Sequence, residues 1–302
     1  MIEAMIIGCG RFSGFKDPEN LNYYYGALKR SRIKLVSIYD KDFNKSKRIS
    51  KKFNLNTSDN LKKLYKKFKP GIVIISSSIE SHYQNIQEIL EFKNFIKLLI
   101  IEKPIIHEFS KLKKTINSLI DNNIKFIVNH TRRFDKNYLY IKKNFSKYEI
   151  PKEIYFNYYG QWVNNGIHMI DLIFFFSQDK EFKKFYLYKK DRVTLLKIYL
   201  QKNKSITIIF NKGDQFKYQI ADIDIFFREK RVQILNHGET YIYYLTKKNL
   251  IGEIELKINQ KLKKINNFPL VNMLTFFSKR SLIKKKLSFL NKNKLINIYS
   301  LF

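Results

Sequence analysis

Along the first 128 residues, short runs of consecutive apolar residues alternate with segments whose apolar positions recur every three or four residues. The stretches "AMIIGCG", "IKLVSIYD", "GIVIISSS", "IKLLIIEKP" and "KFIVNHTRRF" read as five strands. Between them, "LNYYYGALKRS", "NKSKRISKKFN", "SHYQNIQEILEF" and "SKLKKTINSLIDNN" read as helices, the last with a serine N-cap. Strands that are apolar throughout are buried on both faces, so a parallel sheet covered by helices is predicted. Right-handed crossovers make it a doubly wound sheet of the Rossmann type.

After Asn129 the period changes to two. "EIYFNYYGQWV", "KFYLYKK", "RVTLLKIYLQ", "SITIIFN", "YQIADIDIFF", "KRVQILN" and "ETYIYYLT" alternate and are rich in β-branched and aromatic residues. One helical stretch, "HMIDLIFFFSQ", interrupts them, and the lysine- and leucine-rich tail from Phe268 also reads as helical. The expectation is an α/β chain: a doubly wound Rossmann-type domain over residues 1–128 and an α+β domain with a largely antiparallel open sheet over 129–302.

Composition narrows this picture in three ways. No apolar run approaches the roughly 18–20 residues of a membrane span, so no membrane span is expected. The opening residues do not read as a secretory signal, and the single cysteine, Cys9, allows no internal disulfide; a cytoplasmic protein is expected. The formal net charge of +32 raises nucleic acid as a partner. Lysine dominates over arginine, however, and is spread from Lys16 to Lys294 with one dense cluster at Ser278–Lys286. That pattern fits an AT-rich coding bias better than a base-reading surface, so no nucleic acid is expected; attraction of anionic substrates remains a consequence.

The first candidate chemistry is the turn Gly8-Cys-Gly-Arg-Phe-Ser-Gly14, directly after the first strand. Gly8 suits a tight turn, and Gly10 lets the backbone approach a pyrophosphate at a helix N-terminus. Ser13 stands where the strict fingerprint has its third glycine. Asp40 ends the second strand, where its carboxylate would accept hydrogen bonds from a ribose diol and repel a 2′-phosphate. NAD is therefore the expected cofactor, with NADP less favoured.

The second candidate is Glu102-Lys103-Pro104 at the carboxyl end of the fourth strand, the edge where open α/β sheets bind ligands. The third is "NNGIHMIDL", which places His168 and Asp171 one turn apart on a helix. No further Cys or His cluster accompanies them, so no metal is expected. Arg132 and Arg133 follow the fifth strand; they could clamp a carboxylate or diphosphate, or form salt bridges to Asp135 or the second domain.

Taken in order, "GCGRFSG", "SSSIESH", "EKPI" and "NNGIHMIDL" resemble the Gfo/Idh/MocA oxidoreductase family, which includes glucose–fructose oxidoreductase, inositol dehydrogenase and sugar-nucleotide dehydrogenases. The resemblance covers roughly the first 175 residues. It implies hydride transfer between nicotinamide and a hydroxyl-bearing carbon of a sugar, nucleotide sugar or cyclic polyol. It implies Lys103 as general acid/base, His168 as its active-site partner, and Asn164 positioning substrate where the family usually has aspartate. The "NNG" form resembles members found with surface-polysaccharide synthesis. Cofactor contacts are implied for Gly8, Gly10, Arg11, Phe12, Asp40, Ser77, His82 and Glu102, and substrate contacts for Lys103, Arg133, Asn164, His168 and Asp171. Glu102 could instead pair with a nearby lysine. An exposed sheet face in the second domain implies a homo-oligomer. The rival expectation is a catalytically weak sugar or nucleotide sensor or scaffold, prompted by Asn164 and Ser13.

Overall fold

The computed structural model describes residues 1–106, 108–146, 151–159, 166–177, 182–190, 193–200, 205–211, 220–263 and 265–279. The chain forms two compact units, the first built from Met1–Phe134 and the segment that begins at Phe268, the second from Asp135–Asn267.

In the first unit, strands β1 (Ile2–Ile7), β2 (Ile33–Tyr39), β3 (Ile72–Ile75), β4 (Leu98–Ile101) and β5 (Phe126–Val128) form a parallel sheet of order β2-β1-β3-β4-β5. The crossovers carry helices α1 (Tyr24–Lys29), α2 (Phe43–Phe53), α3 (Leu61–Phe68), α4 (Ile79–Leu90) and α5 (Phe109–Asp121). Every residue of β3 and β4 is buried, as their unbroken apolar runs predict. One sheet face, carrying Ala4, Ile6, Ile72, Ile74, Leu98 and Ile100, forms a continuous core with Ala27 and Leu28 of α1. The alternate residues Met5, Ile7, Val73, Ile75, Leu99 and Ile101 face the other way and are equally buried.

Three local differences from the sequence expectation have physical causes. Helix α3, not read from the sequence, is short and lysine-rich, yet Leu61, Leu64 and Tyr65 make a buried stripe and Asn60 caps it by accepting from the N–H groups of Lys62 and Lys63. Helix α5 is capped at Glu108 rather than at a serine; Ser110 lies inside its first turn. Helix α1 does not start at the glycine turn. A single 3-10 turn, Arg11–Ser13, follows Gly10, and a series of turns through Asp17 and Asn20 postpones the helix to Tyr24. Pro18 and the Asn side chains along that stretch favour turns over a helix.

The second unit holds an eight-stranded sheet among the described residues. Its strands are β6 (Glu153–Tyr159), β7 (Phe182–Lys190), β8 (Val193–Leu200), β9 (Ser205–Asn211), β10 (Ala221–Phe226), β11 (Lys230–Leu235), β12 (Thr240–Lys248) and β13 (Ile254–Lys263), in the order β13-β12-β11-β10-β6-β9-β8-β7. All neighbours pair antiparallel except β6 and β9. The edge strand β13, missed in the sequence, is lysine-rich and almost wholly exposed, which blunts the edge. Helices α6 (Lys136–Ile141) and α7 (Ile167–Ser177) belong to this unit, and α7 is apolar nearly all round and deeply buried.

The chain then re-enters the first unit. Helix α8 (Pro269–Ser278), with its proline in the first turn, adds Leu270, Met273, Leu274 and Phe277 to the core that α1 covers. No helix among the described residues is long and apolar enough to cross a membrane.

Candidate cofactor and active site

The site is built at the carboxyl edge of the parallel sheet, where β1 and β3 lie side by side and the strand order turns. The chain must leave β1 sharply there. Gly8 adopts φ +95, and a Cβ at that position would lie 2.4 Å from the backbone of Ser77, so only glycine fits. Three hydrogen bonds clip the strand ends together. The Gly8 N–H donates to the Tyr39 carbonyl at 2.7 Å, the Ser76 N–H to the Ile7 carbonyl at 2.8 Å, and the Ser76 hydroxyl to the Gly8 carbonyl at 2.8 Å.

Gly10 has a different role. Its φ is −78, open to any residue, and the nearest atom an added Cβ would meet is the Ser76 carbonyl at 4.0 Å. The protein's own packing does not require a glycine here. The space beside it belongs to a cavity of about 340 Å³ lined by Gly8, Gly10, Asp40, Lys45, Ser77 and Glu88 among others.

Asp40 ties this loop to β2. Its carboxylate accepts from the Cys9 N–H at 2.7 Å and from the Asp42 N–H at 3.0 Å, and it pairs with the Lys45 ammonium at 3.2 Å. The carboxylate therefore shapes the glycine turn and also places an acceptor at the cavity wall. Burial first, and the Asp40 charge second, push the neighbouring Cys9 thiol up to about 12, so it stays protonated and unreactive at neutral pH.

One strand further along, Glu102 is buried directly after β4. Its carboxylate accepts from the Tyr24 hydroxyl of α1 at 2.7 Å and from the Asn129 side-chain amide that follows β5. Burial pushes the Glu102 carboxyl up; the hydrogen bonds from Asn129 and Tyr24 and the Lys103 charge oppose this. Lys103 is half-buried, and the Lys103–Pro104 peptide is cis. Burial lowers the Lys103 pKa, Glu102 raises it, and Arg132 lowers it again.

His82 lies beneath this edge rather than in the cavity. It is 1% exposed; Nδ1 lies 2.9 Å from the Ile105 carbonyl and Nε2 lies 3.1 Å from the Ser77 carbonyl. The ring thereby staples the loop after β3 to the loop that follows Pro104. Burial lowers its pKa, while the bonded carbonyls pull the other way. A neutral imidazole has only one N–H, so one of its two carbonyl contacts lacks a proton unless the ring is charged.

The structure thus gathers Gly8, Gly10, Asp40 and Ser77 around one cavity. Arg11 and Phe12 stand outside its lining: both are exposed, Arg11 donates to the Tyr23 hydroxyl at 3.1 Å, and Phe12 meets the Tyr23 ring edge-on. Arg132 and Arg133 are half-buried in a 3-10 turn, Thr131–Phe134, just past β5. In the second unit, His168 is half-buried in the first turn of α7, and Asp171, one turn on, is buried. Asn164 lies outside the described residues. Sequence reasoning missed Ser76, Lys45, Tyr24 and Asn129. Ser76 and Asn129 carry a positional signal, each being the first polar residue beyond a strand; Tyr24 carries none.

A parallel sheet with a tight glycine turn, an acidic residue after its second strand and a cavity at the switch point defines a dinucleotide-binding domain of the Rossmann type. Residues 2–130 match the Gfo/Idh/MocA family model, described as an oxidoreductase family with an NAD-binding Rossmann fold. Residues 2–130 are thus similar to that family's NAD-binding domain, in line with the resemblance read from the motifs in that span. No curated protein matches the sequence.

Solved structures share the fold at low identity. UDP-N-acetylglucosamine 3-dehydrogenase GnnA from Acidithiobacillus ferrooxidans has a TM-score of 0.77 at 10% identity, covering 99% of this chain and 95% of its own. An oxidoreductase from Agrobacterium radiobacter, in complex with NAD+, L-tartaric acid and magnesium, has a TM-score of 0.76 at 14% identity, covering 99% and 94%. The super-repressor mutant of Gal80p from Saccharomyces cerevisiae has a TM-score of 0.79 at 13% identity, covering 99% and 94%.

Proposed function

We propose that this protein is an NAD-dependent dehydrogenase or reductase acting on a hydroxyl-bearing carbon of a sugar, nucleotide sugar or cyclic polyol. The observation that carries the reading is a lysine with a lowered pKa at the carboxyl edge, one strand away from a cavity that suits a dinucleotide. The open space beside Gly10 suits the approach of a pyrophosphate, and the Asp40 carboxylate suits a ribose diol. Gly8, Gly10, Asp40 and Ser77 would hold the cofactor. Bound nicotinamide supplies the hydride acceptor or donor.

The residues of the chain supply the proton chemistry. An ordinary lysine amine, near 10.4, is a poor base at neutral pH. Burial, and after it the Arg132 charge, lower the Lys103 pKa against the pull of Glu102, which favours the ammonium; the lowered pKa favours the neutral amine that would take the substrate hydroxyl proton, and its ammonium would return it. On the resemblance, His168 hydrogen-bonds the reacting oxygen, and Asn164, Asp171 and Arg133 orient substrate. Because asparagine cannot accept a proton as a base, Asn164 leaves Lys103 and His168 as the acid–base groups. The basic chain favours an anionic substrate such as a nucleotide sugar.

The rival reading is a sugar or nucleotide sensor. It keeps its place because the fold alone is shared by dehydrogenases and by Gal80p. Fluorescence titration with NADH and NADPH, followed by a turnover screen over nucleotide sugars and polyols, separates the two. NADH binding with turnover supports the dehydrogenase; binding of NADH or a sugar with no turnover supports the sensor.

A further inference from the structure

Glu102, Tyr24 and Asn129 come from three separate elements and converge at one buried point. Tyr24 opens α1, Glu102 follows β4 and Asn129 follows β5. Tyr24, Glu102 and Asn129 are 1%, 5% and 8% exposed. Both donors aim at the same oxygen, Oε1 of Glu102. Nothing in the packing of α1 requires a hydroxyl there: Tyr24 belongs to the apolar core that Ala27 and Leu28 share, and phenylalanine would fill the same volume. The backbone N–H of Lys103 also acts on this carboxylate.

We infer that Tyr24 and Asn129 are positioning residues for Lys103: by donating to the Glu102 carboxylate they hold a negative charge on the residue that adjoins Lys103 and so tune how readily its amine becomes neutral. This rests on the dehydrogenase reading only for its catalytic consequence. The charge arrangement itself needs no cofactor.

Opposing effects act on the two neighbouring charges. A carboxylate taken out of water reverts to the neutral acid unless donors or a cation hold it. Here the donors are Asn129, Tyr24 and the Lys103 N–H, and the cation is Lys103. Among the charged groups that act on Lys103, Glu102 favours its ammonium and Arg132 disfavours it. Removal of the Tyr24 hydroxyl takes away one donor, so the Glu102 pKa rises and its charged fraction falls. Lys103 then loses part of the charge that favours its ammonium, and its pKa falls.

The test is competitive acetylation of the intact protein with acetic anhydride across a pH series, with the Lys103 peptide quantified by mass spectrometry. Only the neutral amine reacts, so the labelling midpoint reports the Lys103 titration. Tyr24→Phe is expected to move the midpoint to lower pH. Glu102→Gln, which keeps the shape and removes the charge, should move it further, by about 1 pH unit or more. Introduced into the Glu102→Gln background, Tyr24→Phe should add no further shift, because the residue acts through that charge. Asn129→Ala removes the second donor and should act in the same direction, which covers the case in which Tyr24→Phe does not fold. An unchanged midpoint in both donor variants overturns the inference. So does a Tyr24→Phe shift that is equally large with and without the Glu102→Gln substitution. Lys103→Met provides the separate check on function: turnover retained in that variant would end the acid–base assignment and leave the titration result standing.

Discussion

The two units bury their sheets by different rules, and the difference decides where chemistry can sit. In the first, β3 and β4 are buried at every residue. Both faces of that sheet are committed to helices, so reactive groups are confined to the loops at its carboxyl edge. In the second, β10 alternates buried Ala221, Ile223 and Ile225 with half-buried Asp222, Asp224 and Phe226. One face of the open sheet is core; the other carries a polar and aromatic surface, with Arg231 bonded bidentately to Asp224 at 2.8 and 3.0 Å and stacked over Phe226. Edge residues in the first unit should therefore govern turnover and binding, whereas face residues in the second should govern little beyond local order.

The strongest way to break this contrast is Lys103→Met. Loss of a general acid/base costs about 10²–10⁴-fold in kcat. Binding of NADH should change little, because the residues proposed to hold it are Gly8, Gly10, Asp40 and Ser77. A steady-state assay on the best substrate from the turnover screen, paired with NADH titration, reads both quantities. Turnover within a few fold of wild type would remove Lys103 from the chemistry.

The two glycines offer a sharper test, because neighbouring substitutions should fail in different ways. Gly8→Ala forces a Cβ to within 2.4 Å of the Ser77 backbone at φ +95. The cost is on the order of 3 kcal/mol of stability. Gly10→Ala meets nothing closer than 4.0 Å and has an ordinary backbone, so its melting temperature should stay near wild type. Its NADH affinity should nevertheless fall by about tenfold or more, because the methyl group would fill space proposed for the pyrophosphate. Thermal denaturation and NADH titration of both variants settle the matter. A Gly10→Ala protein that binds NADH normally would make the turn a purely structural device.

Asp40→Asn should have an intermediate effect. The amide can still accept at its oxygen but carries no charge, so NADH should weaken modestly and the preference for NADH over NADPH should narrow by about tenfold. The Lys45 ammonium, freed from its partner 3.2 Å away, would face an incoming 2′-phosphate and add to that narrowing. Parallel titrations with the two reduced cofactors measure the ratio directly, and an unchanged ratio would take Asp40 out of cofactor selection.

The same contrast explains what the sequence made legible. Five parallel strands, most of their helices and the alternating strands of the second unit are visible because burial on two faces and burial on one face leave different periods. Gly8, Gly10, Asp40, Ser77, Glu102 and Lys103 could be proposed as site residues because each follows a strand end, and strand ends in such sheets point to one edge. Tyr24 stayed hidden because its partner Glu102 is 78 positions away, and its own neighbourhood looks like any helix start. Strand β13 stayed hidden because an exposed edge strand rich in lysine has little apolar pattern to show. The return of α8 to the first unit had no sequence signal either, since an apolar helix stripe does not reveal which core it completes.

The smallest predicted effect lies on the outer face of the second sheet, and it sharpens the comparison from the opposite side. Arg231 and Asp224 are each about a quarter exposed, at 27%. Their bidentate geometry is favourable, and Gln233 adds a third contact to Asp224 at 3.2 Å. Water still reaches the pair and screens it, so Arg231→Met should cost only about 0.5–1 kcal/mol. Methionine keeps much of the apolar stem over Phe226, so the loss should come from charge and hydrogen bonding rather than packing. Because the pair is not in the carboxyl-edge cavity, NADH affinity should be unchanged. Chemical denaturation should show the small loss, and it should shrink further in high salt. A loss of several kcal/mol would mean that this face is shielded from water in solution, and size-exclusion chromatography of the variant would then show whether a second copy of the chain supplies the cover.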